Sequence, residues 1–374
     1  MQSNLEKVLP ALSTRPVTNS AFSQKRYHIK SDFFKDLNQL PLQYYQQMKK
    51  QDWKGHLLFA GDGSALSLPA SKEIEKNFDV YSTTSYGVNR SLARIFFLYD
   101  VLNKFVVNGQ LDKMEVGEQT MLTNSIEACR QLSGVFLLDR NFGYFSSLKG
   151  LIIKQKDFCI RMSVGASGFT KRVMADDRTD FIVEWKPSRE ERNTAQTHNL
   201  DCDPIKIRVV KVVLNTGEVE LLATSLLDKD KYSSEEMKEL YHLRWGVEEC
   251  FKNLKPKMKI EYFGCKKTEG VLQEFYAHIF MINMISLIAQ PAQRIIERKT
   301  CKRQYRYVFN WKDTFRYVRE QIIKLMTSLE SVTPIIDLLI GQILRSKIPI
   351  KPNRSFPRNP RLKKKISPIT HFNK

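Results

Sequence analysis

The chain has 374 residues, enough for two or more domains with full cores, and its 42% hydrophobic and 27% charged content is that of a soluble globular protein. The formal net charge of +20 points to a polyanionic partner, most simply nucleic acid; the alternative is a basic protein with no specific polyanion. Six scattered cysteines form no Cys-x-x-Cys pair, and His198 with Cys202 makes only half a zinc site, so reduced thiols of the cytoplasm are expected. The amino terminus has no secretory apolar region. The most apolar run, Phe275 to Ala289, is short of the ~20 residues that span a bilayer and contains His278 and Asn283. No membrane span and, without a Walker A motif, no ATP-driven step are expected.

In chain order, residues 1–50 read as helical and basic. Asn19 to Arg26 carries caps and cations suited to a helix that contacts DNA. A strand-length apolar run from Gly55 then ends at Asp62 in a glycine turn. Ala93–Val101 and Lys104–Gln110 read as two more strands, and Glu118–Leu132 as a helix. Gly134 to Leu138 is a second buried strand ending in an aspartate, Asp139. Phe145–Lys156 reads as a helix and Phe158–Val164 as a strand. Three strands, a helix, a strand, a helix and a strand are the order of a ribonuclease-H-like fold. In α/β sheets functional groups gather at carboxyl ends of strands, which is where Asp62 and Asp139 would lie. Each is equally a turn-forming residue by type.

The segment 166–227 interrupts this order. It is β-rich, with Asp180–Trp185, Ile205–Leu214 and Val219–Thr224 as strands, a polar loop from Lys186 to Asp203, and a hairpin turn at Asn215-Thr-Gly217. The segments 51–165 and 228–290 together form the expected catalytic core. After it, 291–344 reads as a helical region suited to dimerisation. The tail 345–374 holds ten Lys or Arg, no acid and five prolines, and reads as extended and attracted to phosphate without reading sequence.

The most informative stretch is Tyr241 to Lys255. Ser233-Ser-Glu-Glu236 has the spacing of a capping box and Pro256 stops a helix, so Ser234 to Lys255 is read as one helix. Its apolar stripe is Leu240, Leu243, Val247, Cys250, Phe251 and Leu254. Tyr241, Arg244, Trp245, Glu248, Lys252 and Lys255 fall on another face, where one acid stands among cations and rings. Tyr241, Arg244, Glu248 and Lys255 also fit Y-(2)-R-(3)-E-(6)-K without mismatch. This resembles the signature of the insertion-sequence-four (Y-R-E-K) group of DDE transposases, in the ribonuclease-H-like superfamily. Ser20-x-Phe22-Ser23-Gln24-x-Arg26, Cys265-Lys-Lys267 and Gly270 to His278 also resemble the family, and its hydrolytic members carry a β insertion at the same place.

The resemblance implies an α/β fold: a ribonuclease-H-like mixed sheet with a β-rich insertion and flanking helical segments. It implies a transposase that cuts its element's ends and joins them to target DNA. Asp62, Asp139 and Glu248 would be catalytic and would hold Mg²⁺ or Mn²⁺, as two ions. Tyr241, Arg244, Trp245, Lys252 and Lys255 would bind DNA. The implied partners are double-stranded DNA, both terminal inverted repeats and target, and a second copy of the chain when DNA is bound. The location would be the bacterial cytoplasm, on the nucleoid. The rivals are a standalone metal-dependent nuclease and an inactive, transposase-derived DNA-binding protein.

Overall fold

The structure, a computed structural model, describes residues 18–83, 87, 89–165, 167–214 and 217–351. The start of the basic amino-terminal segment, Asn215 and Thr216 of the hairpin turn, and the basic tail from 352 onward lie outside the described residues. Three short helices come first: α1 (Asn19–Arg26), α2 (Ser31–Leu37) and α3 (Gln39–Gln47). The sheet region follows with β1 (Leu58–Ser67), α4 (Lys72–Phe78), a two-residue ladder of β2 (Ser82–Thr83) with β3 (Asn89–Arg90), β4 (Leu92–Asp100) and β5 (Phe105–Lys113). Next come α5 (Glu118–Ala128), β6 (Val135–Leu138), α6 (Phe145–Ile153) and β7 (Asp157–Met162).

The main sheet has eight strands in the order β5-β4-β1-β6-β7-β10-β9-β8. β1 pairs antiparallel with β4 and parallel with β6, and β6 pairs parallel with β7. These first five strands have the ribonuclease-H-like arrangement that the element order implies. One detail differs from the sequence reading. Asp62 does not end its strand, because β4 is long enough to pair with all of β1 from Phe59 to Ser67. Only the parallel ladder stops there, at Gly61 opposite Leu138.

The segment after β7 contributes α7 (Gly168–Ala175), β8 (Asp180–Trp185), α8 (Arg189–Thr197), β9 (Ile205–Val213) and β10 (Val219–Thr224). Its three strands extend the same sheet, with β10 antiparallel to β7. The polar stretch 186–203 is not all loop: α8 forms inside it. Ser188 caps the Glu191 amide and Glu191 reaches back to the Ser188 amide, a capping box like the one at Ser233.

Strand side chains alternate between faces. Leu58, Ala60, Ala93, Ile95 and Phe97 enter the core on one side; Phe59, Phe96 and Leu98 enter the other. The first core is covered by α9 (Ser234–His242), α10 (Trp245–Lys252) and α11 (Thr268–Thr300); the second by α5, α6 and α7. The helix α11 runs well beyond the apolar stretch read from sequence. At 33 residues it is long and apolar enough to cross a bilayer, yet it packs against β5, α2 and α3 and is a core helix. Its Asn283 donates to the Val106 carbonyl and accepts from the Val106 amide, completing the open edge of β5. The chain continues as β11 (Arg306–Val308), α12 (Trp311–Thr327), α13 (Thr333–Arg345) and β12 (Ile348–Ile350), with a small core of its own between α11, α12 and α13.

Arg208 of β9 ties the added strands to the start of α9. Its guanidinium, fully buried, donates to both oxygens of Asp180 (2.8 and 2.5 Å) and to the Tyr232 carbonyl (2.7 Å), while the Ser234 hydroxyl donates to Asp180. Removing one partner leaves an uncompensated buried charge, at about 3–5 kcal/mol. Asp180→Ala is therefore expected to lower unfolding free energy by that amount in a denaturant titration. A change under about 1 kcal/mol, the size of an exposed pair, would show that the lock is not needed.

Candidate active site

The sheet register brings the two aspartates together. Leu58 and Ala60 face the same core as Val135 and Leu137, so the next residues of that parity, Asp62 and Asp139, emerge on one face of the sheet. They are the next positions after Gly61 and Leu138, the last parallel pair. Asp139 leaves β6 as the cap of a short 3-10 turn, where its carboxylate accepts the Asn141 amide (2.9 Å). Asp62 accepts the Gly63 amide (3.0 Å).

Glu248 comes from the covering helices. These are not the single helix that caps and spacing suggest. The Ser233 capping box starts α9, but the helix breaks at Leu243–Arg244, where Arg244, Gly246 and Val247 donate three residues back instead of four. Gly246 lies against Val101, and a Cβ there would crowd that side chain at 3.2 Å, so the second segment packs closely on the sheet. Past Lys252 the chain widens into a π-turn, Asn253–Lys257, in which Met258 donates to Asn253. Pro256 has no amide to continue the ordinary ladder. It does not stop the helix at Lys255 as expected; it re-aims it. Lys255 turns onto β1, where its ammonium donates to the Ser64 hydroxyl (2.7 Å) and the Ala65 carbonyl.

The break also undoes the shared polar face. Tyr241 is buried in the core, and Arg244 is 7% exposed. Arg244 donates to Glu248 Oε1 (2.8 Å) and stands 4.0 Å from Asp62 Oδ2. Its guanidinium lies 5.8 Å from the Tyr241 ring centre and 5.4 Å from that of Trp245, which is half-exposed. Its Nε is buried and has no hydrogen-bond partner among the described residues. Lys252 is exposed and lies apart from this group. The structure thus gathers Asp62, Asp139, Arg244 and Glu248, with Tyr241, Trp245 and Lys255 around them.

Sequence reasoning missed Glu118, in the first turn of α5. Its carboxylate presses on Gly63, where a Cβ would overlap it, and it adds negative charge beside Asp62. Nothing in the local sequence marks it beyond an acid at a helix start. Burial pushes the Asp62 carboxyl up to about 7; Asp139 and Glu118 add to this, and Arg244 opposes it. The group therefore carries more negative charge than one guanidinium balances. Carboxylate oxygens with unmet charge are the donors a hard divalent cation takes. Among the described residues, no three Asp, Glu, His or Cys side chains already converge as a ligand set, since Glu248 is drawn to Arg244.

A mixed sheet whose first five strands run β5-β4-β1-β6-β7, with helices on both faces, is a ribonuclease-H-like fold. The chain belongs to the transposase DDE domain family, whose match spans residues 53–284. It is 30% identical over 87 residues to the protein InsL of insertion sequence element IS186A from Escherichia coli strain K12, covering 23% of this chain and 24% of that one. The transposase of insertion sequence element IS421 from Escherichia coli matches to the same extent. These matches span about a quarter of each curated relative's length. The piggyBac transposase synaptic complex with hairpin DNA gives a TM-score of 0.45 at 13% identity, covering 81% of this chain and 60% of that one.

The raised Asp62 carboxyl has a stability consequence with a definite sign. Below about pH 4, the ordinary carboxylate value, it is protonated in both folded and unfolded chains and costs nothing. As the pH rises to about 7, the folded chain holds a proton that the unfolded chain has lost, and stability falls. In metal-free protein, Asp62→Asn is expected to raise unfolding free energy at about pH 8 by at least ~1 kcal/mol, and to leave it unchanged near pH 4. Equal effects at both pH values would mean that Asp62 is not held neutral by its surroundings.

Proposed function

We propose that the protein is a transposase that cleaves DNA at the ends of its own element and joins them to target DNA. The observation that carries this reading is that Asp62 and Asp139 leave adjoining strands on one sheet face, while Arg244 of the covering helices stands between Asp62 and Glu248. Membership of the transposase DDE domain family supports it, and so do the insertion-sequence relatives. The family depends on divalent metal, and the ions here are read as two Mg²⁺ or Mn²⁺ held by Asp62, Asp139 and Glu248. When bound, such ions activate water or a DNA 3′-hydroxyl and stabilise the leaving 3′-oxygen.

The chain's own groups position the DNA. Arg244 balances Asp62 and Glu248, and its guanidinium is the charge that would meet a phosphate oxygen. The rings of Tyr241 and Trp245 restrict the guanidinium, so less freedom is lost when it binds. Trp245 presents a face to a base. Lys255, fixed on β1 two to three residues past Asp62, places an ammonium beside the scissile phosphate. Lys252, on the exposed side of α10, attracts the backbone further out. Partners on this reading are double-stranded DNA, as terminal inverted repeats and target, and a second copy of the chain joined through region 291–344. Region 1–50 adds contacts to DNA, and tail 345–374 adds non-specific phosphate attraction. The location is the bacterial cytoplasm, on the nucleoid.

The test uses a duplex carrying the terminal repeat that flanks the reading frame. Asp62→Asn, Asp139→Asn and Glu248→Gln are each expected to abolish Mg²⁺-dependent cleavage while duplex affinity stays near that of the unaltered protein, because affinity rests on Lys and Arg. Retained cleavage in any of the three removes that residue from the site. Strand transfer of an oligonucleotide with a 3′-hydroxyl separates a transposase from a standalone nuclease, and absence of all nicking would leave only a DNA-binding relative.

Arg244 is also held structurally, so its loss has two expected effects. Arg244→Ala leaves Asp62 and Glu248 without a counter-charge and lowers the melting temperature of metal-free protein. It is also expected to cut cleavage at least ~100-fold, the size of a misplaced reacting phosphate. Arg244→Lys should recover stability more fully than rate, since an ammonium keeps the charge but not the two-pronged contact. Equal recovery of both would reduce Arg244 to a structural ion-pair partner.

A further inference from the structure

The helix α10 also borders a cleft. Next to the face that carries Glu248, residues Gly246, Glu249 and Asn253 line a cleft of about 830 Å³. The turn between β4 and β5, the π-turn, α11, the start of α12 and the β11–β12 ladder enclose the rest. The volume lies in the range of small-ligand clefts, roughly 300–1,000 Å³.

Its lining is strongly basic. Lys104, Lys252, Lys257, Arg306 and Lys312 face it, against Glu249 and Glu297. Arg306 is paired with Glu297 at 3.2 Å. Among the described residues, none of the four lysines has a carboxylate within ion-pair distance. Lys257 is exposed; partial burial pulls its ammonium down, the charge of Glu249 opposes this, and it donates to the Asn253 side chain (2.6 Å). It stands 5.8 Å from the ring of Trp311, which also lines the cleft and stacks on Phe315. Several amides of the lining are already used within the protein. Asn103 bonds Asp100 and the Gln51 backbone, Gln293 bonds the Tyr307 carbonyl, and Asn310 caps α12.

Unpaired ammonium groups around an aromatic ring are the features that hold a phosphate backbone and stack a base. A base face is available for stacking only where the strand is unpaired. With the amides occupied, little is left to read base edges. We propose that this cleft binds a short stretch of single-stranded DNA with little sequence preference, its phosphates on Lys104, Lys257 and Lys312 and one base against Trp311. The proposal deepens the transposase reading and rests on it: cleavage at a transposon end produces a free strand, and the cleft lies on the same helix as Glu248.

The test measures binding of a deoxythymidine hexamer to the metal-free full chain, by anisotropy and by tryptophan quenching. Trp311→Leu is expected to weaken binding about tenfold and remove most of the quenching. The double variant Lys257→Gln with Lys312→Gln is expected to reduce the slope of log affinity against log salt by roughly 1.4, for two lost contacts to a single strand. Both variants should nick duplex as the unaltered chain does. Binding and salt slope unchanged in the lysine variant would overturn the proposal, as would displacement of the hexamer by an equal concentration of blunt duplex of the same length. Equally tight binding of polyphosphate, with Trp311→Leu without effect, would reduce the cleft to an unspecific cationic surface and also overturn it. The binding arms use no metal, so an unaltered chain that fails to nick DNA would sink the transposase reading while leaving these results decisive for the cleft.

Discussion

In a parallel pair whose last rung is Gly61 opposite Leu138, the next two residues leave the ladder side by side, and here both are aspartates. Everything else in the site answers to that placement. Asp62 is largely buried, and the neighbouring charge of Asp139 adds to the burial that raises its carboxyl. The charge of Arg244 opposes that rise and draws Glu248 in with it. The guanidinium therefore holds Asp62 and Glu248 near one another.

That arrangement depends on elements far from it in sequence. The break between α9 and α10 turns Arg244 inward, and close packing of Gly246 on Val101 sets the second segment against the sheet. The added strands β8 to β10 lengthen the sheet, and through Arg208 and Asp180 they brace the chain just before α9. A segment that reads as an independent insertion is thus mechanically joined to the start of the signature helix. On the other flank, α11 seals the edge of β5 and carries the helical region that closes the basic cleft.

A site of this kind conflicts with stability. Asp62, Asp139 and Glu118 crowd negative charge where the fold gains nothing from it, and Arg244 is desolvated to lie beside Asp62. A packed core could replace such buried charges by apolar groups at little cost. The opposite core, around Phe59, Phe96 and Phe136, buries one carboxylate, Asp100, which accepts the Tyr45 hydroxyl and the Asn103 side chain.

The sequence by itself determined the order along the chain of the eight main-sheet strands and held the Tyr241–Lys255 spacing, because these rest on local signals: period-two apolar runs, a capping box and fixed intervals. It also carried the capping box of α8, although the polar composition of 186–203 reads as a loop. Tertiary structure alone decided three things. Asp62 lies mid-strand because β4 is long enough to pair past it. Tyr241 and Arg244 are buried because the helix breaks, and a helix that breaks no longer keeps the 100° step that puts Tyr241, Arg244 and Glu248 on one exposed face. Glu118 joins the site because the turn after β5 delivers α5 to Gly63, a contact between residues with no shared spacing. Periodicity sees only neighbours along the chain; charge balance at this site is set between strands and helices that the fold brings together.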